Sequence, residues 1–316
     1  MSNPNLPTGT RGVIAVDKVG NQILFLNHQT LHVEDVLTGF APNVHELAIK
    51  PDGRAAYAPI YGDGRHGDNP HPGNHIVVVD LQRRRRLDDL VVTPYRAPHG
   101  LRWGARGELY CICEDSGVVL ELDATTGEHR GVFDVGSTNA HRIEVLPDGS
   151  KLYAENEEDS FVTVIDLRRR SRLPDVTVTG GLAGLGMHPN GSTVVLVSAA
   201  RPELMILDTG DDAIVRTVSL TGNSKPAQIA RYSPDARYLV VTSVDEDLAT
   251  ILDGDFKIRA TVPVGRQPMD MAFAPDGQTV VIANQGDGTL TVIDLPSGRV
   301  QRVVHVGEGV ETLAYY

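Results

Sequence analysis

His45, His99 and His141 stand 54 and 42 residues apart, each four positions before the last large apolar residue of a predicted strand (Ile49, Trp103 and Val145). Glu311 holds the same place before Tyr315, near the end of the 316-residue chain. Three imidazoles and a carboxylate converging on one point make a ligand set for zinc, iron, manganese or copper, unlike the all-oxygen shell that calcium prefers. A divalent transition metal is therefore the expected cofactor. The alternative is a polar ring that hydrogen-bonds water or an anionic substrate directly. Which applies depends on the repeat that carries the four residues.

The clearest copy of that repeat runs from Arg266 to Leu295. Predicted strands Met269 to Phe273, Thr279 to Asn284 and Thr289 to Asp294 are separated by a Pro-Asp-Gly turn and a loop. β-Branched runs bounded by Gly, Pro and Asp are a strand signal, and a period of 20 to 50 residues marks a solenoid or propeller. The first strand, A, recurs as Val44–Ile49, Pro98–Trp103, Ala140–Val145, Leu182–Met187, Ala227–Tyr232, Pro268–Phe273 and Val310–Tyr315. Strand C recurs as HIVVVD, GVVLELD, FVTVID, ELMILD, LATILD and TLTVID, each closing on an aspartate expected to bond the backbone of a tight turn. The last A strand has nothing after it, whereas Gly12–Val16, Gln22–Leu26 and Leu31–Leu37 lack a strand before them. Joining these pieces closes a ring and removes open sheet edges. The expected fold is all-β, a seven-bladed β-propeller of four-stranded blades in a single domain over residues 1–316. Blade 7 combines about 11–38 with 309–316, and residues 1–10 read as a loose leader.

The phrases Leu152-Tyr153-Ala154-Glu155-Asn156 and Phe161-Val162-Thr163-Val164-Ile165-Asp166 resemble the YVTN-type β-propeller repeat, as do Val281-Ile282-Ala283-Asn284 and Thr291-Val292-Ile293-Asp294. That family includes lactonase-like and other bacterial propellers. The likeness extends from about residue 11 to 316. It implies the propeller fold and leans towards ring opening, while the fold itself hosts lactonases, lyases, oxidoreductase subunits and binding platforms. No catalytic motif of a named member carries over residue by residue.

In such a ring strand A starts at the top of the central channel. Aligned there, the seven blades present His45, His99, His141, Ala183, Gln228, Met269 and Glu311. The ionisable members fill one contiguous arc from blade 7 to blade 3. The other arc leaves room for a substrate, with Gln228 and Met269 as contacts. Glu155, where the repeat usually has a small residue, and Glu46 are candidates to move protons. Arg142, which follows a histidine, and Tyr95, in the top loop before His99, are further catalytic candidates. A long insertion from Tyr61 to His75 in blade 1 carries His66, His71 and His75, which either close over the mouth or belong to a free loop. Arg102, Glu144 and Arg231 share a deeper channel register and are expected to form ion pairs. Arg83–Arg86 and Arg168–Arg170 with Arg172 fall in underside turns, as a solvated face or a docking patch for an acidic protein.

A net charge of −12 argues against wrapping a nucleic-acid backbone. No apolar run reaches the roughly 18 residues of a membrane span. The start shows no basic segment leading into an apolar one, so a cytoplasmic location is expected unless a leader has been removed. Cys111 and Cys113, two apart on one strand, are poorly placed for a mutual disulfide and read as buried spectators. A Cys-x-x-Cys-His haem-attachment motif is missing, which disfavours a redox-subunit scaffold. The expected function is a metal-dependent enzyme acting on a small molecule at the top mouth, by lyase, hydrolase, isomerase or oxygenase chemistry. The alternative is a non-catalytic binding propeller that holds a protein or peptide on its top face, and either face leaves room for a protein partner.

Overall fold

Strand B, the second of each blade (Thr279–Asn284 in blade 6), and strand C read as unbroken apolar runs because both of their faces are buried. In blade 3, Leu152 and Ala154 of strand B pack towards blade 2, while Tyr153 between them packs towards blade 4. Blade 7 repeats the alternation: Val13 and Ala15 face blade 6, and Ile14 and Val16 face blade 1. Period-two side chains thus interlock each blade with both neighbours. Seven apolar clusters occupy the seven gaps of the ring.

The computed structural model describes residues 10–157 and 159–316, so the expected leader lies outside the described residues except for Thr10. It is a seven-bladed β-propeller of antiparallel blades, with strand A innermost. Val13–Asp17 pairs with Val310–Tyr315, Val13 opposite Tyr315, so blade 7 unites the two ends of the chain as expected. In blades 1 and 3 the outermost strand is split into two short pieces, Arg85–Arg86 with Leu90–Val91 and Ser171–Arg172 with Val176–Thr177. No helix among the described residues is long and apolar enough to cross a membrane.

Two inner strands are shorter than their sequence implies. Blade 5 pairs only over Ile229–Tyr232, and blade 1 only over Ala48–Ile49, with a single bridge from Val44 to Ile60. The cause in blade 1 is Glu46, whose φ of 41° is left-handed and breaks an extended strand. The strand-C aspartates act as turn caps: Asp123 accepts from the backbone N–H groups of Thr125 and Thr126, and Asp80 from those of Gln82 and Arg83. On the underside, Arg83, Arg84, Arg86, Arg168, Arg169, Arg170 and Arg172 each meet an acid, so most of that charge is neutralised within the chain. Cys111 and Cys113 are free and buried.

Below the mouth, the shared register of Arg102, Glu144 and Arg231 produces a connected ion-pair tier. Arg102 reaches Glu144 at 2.8 Å, and Arg231 bridges Glu144 at 3.2 Å and Asp270 at 3.1 Å. Burial pushes the Asp270 carboxyl up, but the Arg231 guanidinium outweighs it and holds the pKa below the ordinary aspartate value. A depressed folded-state pKa contributes stability above the unfolded pKa of about 3.9 and loses it as pH falls through the folded value. Asp270→Asn is therefore expected to cost about 3 kcal/mol in urea denaturation at pH 7, the usual consequence of unpairing a buried charge. The gap between variant and parent should begin to narrow below about pH 4 and close once pH has fallen through the lower folded value.

Candidate functional site

The mouth residues sit where the inner strands bulge. His141 is unmatched between the pairs Ala140–Asn156 and Arg142–Glu155. Glu311 is unmatched between Val310–Asp17 and Thr312–Val16. In blade 2, His99 and Gly100 together face Ile112, between Pro98–Cys113 and Leu101–Cys111. Blades 4 and 6 bulge at Ala183 and at Met269 with Asp270. A bulge bends its strand and re-aims a side chain out of the sheet. In blade 1 the left-handed Glu46 breaks the strand directly after His45.

Re-aimed in this way, the three imidazoles form a packed row. Ring centroids are 4.3 Å apart for His45 and His99 and 3.7 Å for His99 and His141. His45, His99, His141 and Glu311 are 4%, 0%, 7% and 5% exposed. A Cβ on Gly100 would stand 3.1 Å from the His141 carbonyl oxygen, so glycine lets these inner strands approach closely. His99 Nδ1 donates to that same oxygen at 2.9 Å. Burial holds His45 and His99 well below the ordinary imidazole pKa, so both are neutral at pH 7. With its proton on Nδ1, His99 keeps a bare lone pair on Nε2, which is buried without a hydrogen-bond partner. His45 Nδ1, which lacks a hydrogen-bond partner, is 3.5 Å from Glu311 Oε2, an oxygen that also has Lys18 Nζ at 3.3 Å. Ligand-type atoms of His45, Glu46 and His99 lie within 4.8 Å of one another, and so do those of His66, His141 and Glu157. The expected quartet is thus distributed over two neighbouring groups, with Glu311 beside His45.

A second repeat position completes the mouth. Five residues beyond the strand-B partners of Tyr315, Ile49, Trp103 and Val145 come Lys18, Tyr61, Glu114 and Glu157. The same position in blades 4, 5 and 6 holds Ala199, Val244 and Gln285. The polar arc therefore repeats one column over, in the same four blades, a signal that was present in the sequence. Glu114, on a short 3-10 turn after strand B, takes three partners: Tyr61 Oη at 2.7 Å, His141 Nδ1 at 2.7 Å and His66 Nδ1 at 3.1 Å. Lys18 Nζ lies 3.3 Å from Glu311, and Glu157 Oε2 lies 3.3 Å from His141 Nε2.

The carboxylates differ in charge state because they differ in partners. Burial pushes Glu114 up, yet hydrogen bonds from His141 and His66 outweigh it and bring its pKa down to about 2. The hydrogen bond to Glu114 raises His66 to about 9 against the effect of burial. Glu155 is fully buried with neither oxygen hydrogen-bonded, and burial followed by repulsion from Glu157 pushes it up to about 7. Arg142 Nε stands 3.8 Å from Glu46, and its Nη1 donates to the Ala183 carbonyl.

The other expected contacts divide. Gln228 Nε2 reaches Glu157 and the Ala183 carbonyl, both at 3.4 Å, so it borders the site, and the Met269 carbonyl accepts from Thr242 Oγ1. Of the insertion's three histidines, only His66 reaches the mouth. His71 is exposed and paired with Asp63, and His75 faces Asp89. Tyr95 packs on His129 of the outermost strand of blade 2 and on the cluster between blades 1 and 2. Grooves of 720 and 520 Å³ run between blades 1 and 2 and blades 6 and 7, away from the imidazole row.

No protein-family model matches this chain, and no curated protein does. Among solved structures it is similar to a chain of Kuenenia stuttgartiensis hydrazine synthase, with a TM-score of 0.68 over 86% of this chain and 89% of that one. At 17% identity the likeness shows the shared propeller fold.

Replacing Glu114 by Gln removes the charge that holds His66 as a cation. NMR titration should find His66 near 9 in the parent and at least about one unit lower in Glu114→Gln, towards the ordinary value.

Proposed function

We propose that this chain is a metal-dependent enzyme that acts on a small molecule at the mouth of the propeller channel. One observation carries the reading. His99 is buried and neutral, with an unpartnered lone pair on Nε2, in a ring whose ligand-type atoms gather within 4.8 Å of those of His45 and Glu46, its Nδ1 being 3.8 Å from Glu46. A buried polar atom without a partner costs free energy, and a bound cation would remove that cost at His99 and between His45 and Glu311. His45, Glu46 and His99 would hold the ion, with Glu311 alongside and His141 buttressing His99 through its carbonyl. Two imidazoles and a carboxylate suit zinc, iron, manganese or copper and leave positions open for substrate. Such an ion supplies a Lewis acid for a carbonyl or an activated water near neutral pH. Glu155, pushed up to about 7, has a pKa suited to giving or taking a proton. The Arg142 guanidinium would fix Glu46 and the Ala183 carbonyl.

The repeat phrases support a YVTN-type assignment and, with it, lactonase-like or lyase chemistry ahead of isomerase or oxygenase chemistry. A platform for a protein or peptide would need exposed contact residues, whereas these imidazoles are buried.

Purified protein is expected to carry near-stoichiometric zinc, iron, manganese or copper by elemental analysis. His99→Ala should weaken that affinity by at least about 100-fold while the circular dichroism stays all-β. The loaded protein should open simple lactones, and His99→Ala should not. A parent that takes up none of the four ions would overturn the reading.

A further inference from the structure

The blade 1 insertion and one hairpin of blade 3 supply the second ligand group. His66 comes from the blade 1 insertion, His141 from the bulge of blade 3, and Glu157 from just beyond strand B of that blade. Their ligand-type atoms lie within 4.8 Å of one another. Glu114 engages Nδ1 of both rings, at 3.1 Å for His66 and 2.7 Å for His141. On His141 such a carboxylate fixes the ring for ligation through Nε2 and raises its basicity, whereas the His66 nitrogen near Glu157 is Nδ1 itself, 3.9 Å from Oε2. The other nitrogen of His141 points at Glu157 Oε2 from 3.3 Å, and that oxygen is buried without a hydrogen-bond partner. Fully buried Glu155 adds a third carboxyl group nearby, and Arg142 and His66 carry the positive charge on this side. The rings of His99 and His141 touch, so this group adjoins the first one.

We propose that His66, His141 and Glu157 form a second divalent-metal site, so that the mouth holds a pair of ions; only the pairing rests on the function proposed above. Two imidazoles and one carboxylate select zinc, iron, manganese or copper over calcium or magnesium. A paired centre suits reactions in which one ion holds the attacking oxygen and the other the departing one, as in metal-assisted hydrolysis. One ligand comes from the insertion, so this ion would also tie residues 61–75 to the ring.

The full chain, stripped with chelator, would be titrated with Zn²⁺ and then with Mn²⁺, with stoichiometry read by calorimetry and elemental analysis. The parent should bind two equivalents. His66→Ala, His66→Gln and Glu157→Gln should each bind one, and His99→Ala should keep the equivalent that those variants lose. Metal should slow proteolysis within 61–75 at least about tenfold in the parent and leave His66→Gln unprotected. A single equivalent that survives in the His66 variants but not in His99→Ala overturns the second site and leaves the first. A single equivalent with the opposite pattern upholds this site and removes the first. Two equivalents undiminished in both His66 and Glu157 variants, or no binding at all, would overturn the proposal.

Discussion

The bulge at the mouth end of the inner strands is the constraint on which the rest depends. An inner strand in a propeller is crowded by its neighbours, and a regular one would point alternate side chains into the gaps between blades. An extra residue breaks that alternation and turns one side chain into the channel. His141 and Glu311 are such residues, and His99 is one of a bulged pair. In blade 1 the left-handed Glu46 does the equivalent work and places its own carboxylate beside the row. The result is a file of imidazoles close enough to stack, held by a backbone carbonyl instead of by solvent.

Burial then decides the chemistry. Taking ionisable groups out of water is expensive unless each charge has a partner. The structure divides its groups accordingly. Glu114, with three donors, remains an anion, and His66 is held as its cation. Glu155, with no hydrogen bond, drifts towards the neutral form. His45 and His99, buried and crowded against each other, stay neutral, with His45 Nδ1 and His99 Nε2 unpartnered. Deeper in, Arg102, Glu144, Arg231 and Asp270 satisfy one another and form a floor. Satisfied charges surround a small unsatisfied set, and that contrast singles out the mouth.

Much of this was legible in the sequence, for definable reasons. The blade count and the shared blade 7 follow from phrases that repeat with the pitch of one blade, and both faces of strands B and C are buried, so their apolar runs are conspicuous. The column of His45, His99, His141 and Glu311 emerges because equivalent positions in a closed ring are neighbours. Less legible was everything that depends on departures from the repeat. Bulges have no residue signature here. The broken strand of blade 1 turns on the φ of Glu46, and the seating of His66 turns on how an insertion folds. Glu114 and Glu157 belong to a second column that could be found by the same alignment, once strand B is read to its last residue. Tyr95 is close to His99 in sequence, yet it follows the outer strand, because chain proximity does not survive a turn between layers.

A divalent cation held by His45, Glu46 and His99 is the proposal on which the functional reading turns. Anomalous diffraction from crystals grown with manganese or zinc tests it most directly. The account predicts a strong anomalous peak bounded by His45, Glu46 and His99. Crystals soaked at saturating metal that show density only at surface carboxylates, with these three side chains unchanged, would contradict it.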